Sequence, residues 1–165
     1  MSRGAPQRQE IIKQTIVVRD GALTVDGATG VGFGALVIGD LPEGNILLLG
    51  AVGYFTFAGP TSADLADDWE GDYGVGTTPA DDATITAADI DVIGSTAIVA
   101  ATAEASPRTR GVGVTATNAA ILDNTDGSLE LNLSLLIDDA DIGADDIIMT
   151  VNGELFLAYI VLGDD

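Results

Sequence analysis

Residues 129–137, LELNLSLLI, place Leu129, Leu131, Leu133, Leu135 and Ile137 at alternate positions. A period of two is that of a pleated strand with one face turned inward, and on a helix it would scatter the leucines around the cylinder. The same period returns in IIMTVNGELFLAYIVL through Met149, Val151, Leu155, Leu157, Tyr159 and Val161, and in RGVGVTATNAAIL through Val112, Val114 and Ala116. It also sets Val31, Phe33, Ala35 and Val37 on one side of VGFGALVIGDL, and Trp69, Tyr73 and Val75 on one side of WEGDYGVG. Gly, Pro and Asp punctuate these runs, and Val, Ile and Thr dominate them, as strands require.

Local punctuation fills in the order. TIVVRD and ALTV read as a first strand pair joined through Asp20 and Gly21, and LPEGN at 41–45 reads as a tight turn. The next run, ILLLGAVGYFTFAG, is apolar on both faces, which marks a central strand covered on each side or buried by a partner. From Pro60 to Pro79 the composition shifts to Asp, Gly and Thr, a long excursion with one aromatic strand. STAIVAATAEA, residues 95–105, fits a short helix or a strand equally well. No heptad or internal repeat is present. About seven or eight such strands predict an all-β, single-domain antiparallel β-sandwich, jelly-roll-like, with an extended N-terminal arm.

Composition narrows the chemistry. The 165 residues contain neither Cys nor His, which removes disulfides, thiolate nucleophiles, imidazole bases and the usual zinc, copper and haem ligands. The net charge of −20 opposes binding to nucleic acid, whose phosphates need cations to displace counterions. That charge is uneven. Residues 1–19 hold Arg3, Arg8, Lys13 and Arg19 against Glu10 alone, whereas residues 20–165 hold Arg108 and Arg110 against all the other acids. The division expected is a basic extended arm over 1–19 and an acidic sandwich over 20–165, a surface suited to a saline setting that screens repulsion. The longest apolar run, Ile46 to Gly59, is interrupted by Gly50, Gly53 and Thr56 and is too short to span a bilayer. With no basic-then-apolar leader at the start, neither export by a signal peptide nor a membrane partner is expected.

Several stretches invite a chemical reading. The acids after the leucine strand, Asp138, Asp139, Asp141, Asp145 and Asp146, have no cation beside them and are the candidate for low-affinity calcium. They do not form an EF-hand: counting from Asp139, Gly143 falls at the fifth position and Thr150 at the twelfth, where Gly at six and Glu at twelve are needed. The bland alternative is a solvated hairpin turn. DNTDGS at 123–128 reads as a hairpin turn because Gly accepts positive φ. Asp64, Asp67, Asp68, Glu70 and Asp72 around Trp69 resemble a glycosidase pair with a sugar platform, an arrangement that this acid density produces by chance. GATGVGFG lacks the Lys-Ser/Thr of a phosphate loop and leads into a strand. The one lysine, Lys13, lies in the arm, and no serine has a base to activate it, so no catalytic residue and no cofactor is assigned. Arg108 and Arg110 stand out as the cations of the acidic body, either neutralising local Asp or meeting carboxylates of a neighbouring copy.

The segments LPEGNILLLGAVGYFTFAG, WEGDYGVGTTPADDATI, TAEASPRTRG, LLIDDADI and TVNGELFLAYIVLGDD resemble those of small structural proteins of tailed bacteriophages, marine ones above all. The resemblance runs from about residue 20 to the end and carries no catalytic signature. It implies a capsid decoration, or cement, protein on the outer surface of the icosahedral shell, made in the host cytoplasm, bound to the major capsid protein and often trimeric. On that expectation Arg3, Arg8, Lys13 and Arg19 attach to the shell or an adjacent copy, and Arg108 and Arg110 mediate contacts between copies. A calcium-dependent carbohydrate-binding or adhesion sandwich is the rival from another class, and a tail or head-completion role is the rival within the phage reading.

Overall fold

The computed structural model describes residues 10–27, 32–82, 84–85, 90–98, 103–113, 121–138 and 141–163. Among these, all regular structure is strand: β1 (Ile12–Val25), β2 (Gly32–Asp40), β3 (Gly44–Ala58), β4 (Gly71–Gly76), β5 (Ile93–Ile98), β6 (Thr109–Gly113), β7 (Ile121–Asn124), β8 (Glu130–Ile137) and β9 (Ile147–Gly163). They form two antiparallel sheets. One runs β1-β9-β3-β6, with β7 also paired to β3, and the other runs β2-β8-β4-β5.

β6 and β7 share the same flank of β3, facing Ala51–Phe55 and Gly44–Leu47 respectively, so together they fill one strand position. Counted so, the sheets read 1-8-3-6 and 2-7-4-5, and the chain passes from sheet to sheet at nearly every connection. That is the jelly-roll order. It realises the expected all-β sandwich and corrects one detail of it. β7 and β8 lie in different sheets, as do β8 and β9, so the DNTDGS and DDADIGADD turns cross between layers and close no hairpins.

Alternation explains the core. Leu131, Leu133, Leu135 and Ile137 of β8 face Leu23, Val25, Ile46, Phe55, Phe57, Met149, Val151 and Leu155 of the opposite sheet across a closed apolar interior. Tyr73 anchors its centre, with edge-on contact to Phe55 at 5.6 Å and a tilted contact to Phe57 at 5.6 Å. Trp69 is fully buried, and its Nε1–H donates to the Glu104 carbonyl. The inward positions of β2 are Gly32, Gly34, Leu36 and Ile38, so Phe33, Ala35 and Val37 line its outer side.

Two polar clasps fix the register. Buried Asn124 donates from Nδ2 to the carbonyls of Leu41 and Pro42 and accepts the Leu129 N–H, tying the β2–β3 turn to the β7–β8 turn. Beyond it Gly127, at φ 69°, makes the reversal that the Asp-Gly pair predicts. Asp126 accepts both the N–H and the hydroxyl of Ser128, and that hydroxyl bond holds its carboxyl below the usual carboxylate range.

β1 departs from expectation. TIVVRD and ALTV are one continuous strand along β9, and Asp20–Gly21 is a bulge inside it, with Asp20 at φ 49°. Asn152 holds the bulge reciprocally, accepting the Asp20 N–H and donating to the Asp20 carboxylate. The strand starts at Ile12, so residues 12–19 of the expected arm are sheet. Their apolar period, Ile16 and Val18 inward, draws them into the core. Of STAIVAATAEA, residues 95–98 are strand in β5, which decides that stretch against a helix over those residues.

The two outer faces of the sandwich differ. Across the four-stranded sheet, Ala80 donates its N–H to the buried Ser134 hydroxyl. Thr77 donates from its N–H and hydroxyl to Asp91, and Ile90 lies against Gly74, where an added Cβ would be 2.3 Å from its Cγ2. This excursion buries Asn132 and Ser134 although they point away from the core. Among the described residues no segment covers the outer face of the five-stranded sheet in this way.

Candidate interaction face

On that bare face the registers arrange side chains in rows across four strands. Val17 of β1, Glu154 of β9, Tyr54 of β3 and Arg110 of β6 lie in line. The next row along is Thr15, Phe156, Val52 and Val112, followed by Lys13, Ala158 and Gly50. Because Ala158 and Gly50 project little or nothing, the third row is a trough of about 500 Å³ walled by Phe156, Val52 and Val112, with Lys13 at one end. The face is apolar where outer sheet faces are ordinarily polar: Val112 is 56% exposed, Ile121 55% and Phe156 40%.

Arg108 reaches into the first of these rows. Its guanidinium lies 5.0 Å over the Tyr54 ring and bonds Glu154 at 3.2 Å, and Tyr54 meets Phe156 edge-on at 6.3 Å and 79°. Arg19, beside Val17 at the bulge, lines the same hollow as Arg108 and Glu154. The structure therefore gathers Lys13, Arg19, Arg108 and Arg110, all the cations among the described residues, on one sheet face. Carboxylates on that face are Glu154 in its middle, Asp20 at the bulge and Asp123 at the far end of β7. Arg3 and Arg8 lie outside the described residues. The arm cations, expected on the shell or an adjacent copy, and Arg108 with Arg110, expected between copies, thus share one surface in their described members.

The remaining acids concentrate elsewhere. The 64–70 and 138–146 loops are laced at one end of the sandwich: Gly143 N–H donates to the Asp64 carbonyl, Ala66 N–H to the Asp141 carbonyl and Asp138 N–H to the Glu70 carbonyl. The Asp141 carboxylate accepts the Glu70 N–H at 2.8 Å. Asp138, Asp141, Asp145 and Asp146 thus sit on one acidic end, while Asp139 lies outside the described residues. Among the described residues no three carboxylates converge as metal ligands. Asp67, Asp68 and Glu70 share this end, but buried Trp69 offers no face to a sugar there.

Two tyrosines carry displaced acidities away from this face. Burial pushes the Tyr73 phenol up to about 12, against smaller lowering contributions from hydrogen bonds with the Gly111 backbone and the Thr96 side chain, and the phenol donates to the Thr109 carbonyl. Burial also raises Tyr159, which donates to Gln14 Oε1. Neither has a base or an open cleft beside it, and both act in packing.

No protein-family model matches the chain, and no curated protein matches it. Solved structures with some likeness include a chain of the cryo-EM structure of Mud crab tombus-like virus, at TM-score 0.42 and 12% identity over 97% of this chain and 94% of that one. Another comes from a study of CBM4 structure and function, at TM-score 0.36 and 16% identity over 83% of this chain and 94% of that one. Among the described residues no helix is long and apolar enough to cross a membrane.

Proposed function

We propose that this protein is a structural component of a virion, a decoration or cement protein seated on the outer surface of a phage head, where it binds the major capsid protein and stiffens the shell. The observation that carries this reading is the bare sheet face. An otherwise acidic body presents its described cations and an exposed apolar row together on one sheet face. A protein built to dock needs that combination, and the acidic remainder keeps the outside of the assembly wet and non-adhesive. Trimerisation on the shell belongs to the same proposal through the family resemblance, whereas the attachment role of Arg3 and Arg8 rests on their charge in the arm alone.

Quantitative peptide mass spectrometry on particles purified from the source of this chain tests it. A copy number in a fixed simple ratio to the main shell protein supports decoration. A few to a few tens of copies per particle assigns the chain to the tail or portal, and absence from particles rejects a virion role. One observation favours a second reading: Tyr54 and Phe156 are aromatics reachable from solvent on the bare sheet face. A glycan stacking on them gives a carbohydrate-binding sandwich, and glycan-array binding that Phe156→Ala abolishes would establish it.

A further inference from the structure

We infer that the bare face of the five-stranded sheet binds a different protein, through an apolar patch rimmed by carboxylates on that protein, and not a second copy of this chain. The inference rests on the capsid reading above, which makes the occupant a shell subunit. Among the described residues, Val37 is the one exposed large apolar side chain on the four-stranded sheet, whereas Val17, Val112, Ile121, Ile148 and Phe156 all lie on the bare face. Val52, Val112 and Phe156 adjoin in one row of that face, and exposed apolar surface of that kind is kept for a partner.

Charge and topography then exclude a copy. Two copies face to face would set Lys13, Arg19, Arg108 and Arg110 of one against a face with the same four cations, whose carboxylates are Glu154, already bonded to Arg108, Asp20, already bonded to Asn152, and Asp123 at the far end of β7. A copy presenting its acidic end would supply carboxylates but no apolar complement, since Leu65 and Ile142 there are buried. A copy presenting its four-stranded sheet would offer a face already covered by residues 77–82 and 90–92, with Val37 as its exposed large apolar group. Either approach brings together bodies of net charge −20, whose repulsion reaches about 8 Å at physiological salt. A partner with an apolar knob for the trough over Gly50 and Ala158, and acids for Lys13 and Arg110, satisfies both requirements.

The test uses the full chain and particles from its source, stripped of it and then re-decorated. Wild type should sediment as a monomer at micromolar concentration in 0.15 M salt and should bind stripped particles saturably. Val112→Asp and Arg110→Glu, both at exposed sites, should keep the wild-type near-UV spectrum and bind at least about tenfold more weakly, the scale of losing one central contact. Val37→Asp should bind as wild type does. Two results overturn the inference and leave the capsid reading standing: face variants that bind like wild type, or a wild-type oligomer that Val112→Asp dissociates. Wild type that does not bind stripped particles overturns both.

Discussion

Glu154 stands directly opposite Tyr54 in the β9–β3 register, and Arg108 bridges the two, bonding the carboxylate at 3.2 Å while its guanidinium covers the ring at 5.0 Å. Both charged side chains remain about half exposed, at 58% and 42%. Pairs of that exposure contribute about 0–1 kcal/mol. Arg108→Ala should therefore shift the melting temperature by no more than a few degrees, while weakening attachment to particles. A large loss of thermal stability would make the pair a folding element and not a docking one.

Two glycines on the five-stranded sheet separate packing from display. At Gly153 a Cβ would fall 2.2 Å from the Tyr54 carbonyl oxygen, backbone that cannot step aside. At Gly50 it would meet nothing within 4 Å, because that position floors the open trough. Gly153→Ala should cost about 3 kcal/mol, which for a domain of this size is roughly 6–12 °C in melting temperature. Gly50→Ala should melt at or slightly above wild type, and Gly50→Leu should fill the trough and reduce docking without unfolding the chain. Differential scanning calorimetry checks the first pair.

Tyr73 gives the fold an alkaline limit. Its phenol is neutral in the core with a pKa near 12, against 10.0 in the unfolded chain. Below pH 10 both states are protonated, and the stability the neutral phenol provides is intact. Between pH 10 and 12 the unfolded chain releases this proton and the folded one does not, so stability falls, by on the order of 2 kcal/mol over the window. Tyr73→Phe should flatten that part of the curve, as read from urea midpoints between pH 9 and 12.

The acidic end predicts indifference to calcium identity. Among the described residues no three carboxylates converge, and the Asp141 carboxylate is already engaged by the Glu70 N–H. Added salt should raise the melting temperature by screening the net charge, and calcium should do no more than magnesium at equal concentration. A calcium-specific rise that Asp141→Asn abolishes would establish a site there.

Much of this architecture was legible in strand period. Leu131 to Ile137 and Met149 to Leu157 alternate in the sequence and alternate into the core. Pairing was less legible, because a strand with one apolar face is buried equally well by a hairpin or by a crossing between layers, and period two does not distinguish them. The joint at Asp20–Gly21 misled for a related reason: a turn dipeptide makes a bulge when the strand on either side of it has a partner long enough to continue, and β9 is. The candidate face was half visible. Lys13, Thr15, Val17 and Arg19 alternate with Ile16 and Val18, and Arg110 and Val112 share a period, but only register places them on one surface. Buried Trp69 removed the sugar platform, in keeping with the period of two that sets it on the side of Tyr73 and Val75.

Hydroxyl-radical footprinting of the chain, free and within intact particles, decides whether the five-stranded sheet is the docking face. Strong protection is expected at Tyr54, Val112 and Phe156 in the particle, with Val37 and residues 141–146 labelled as in the free protein. Unchanged labelling at those three residues, with protection over the acidic end or Val37 instead, would rule out that face.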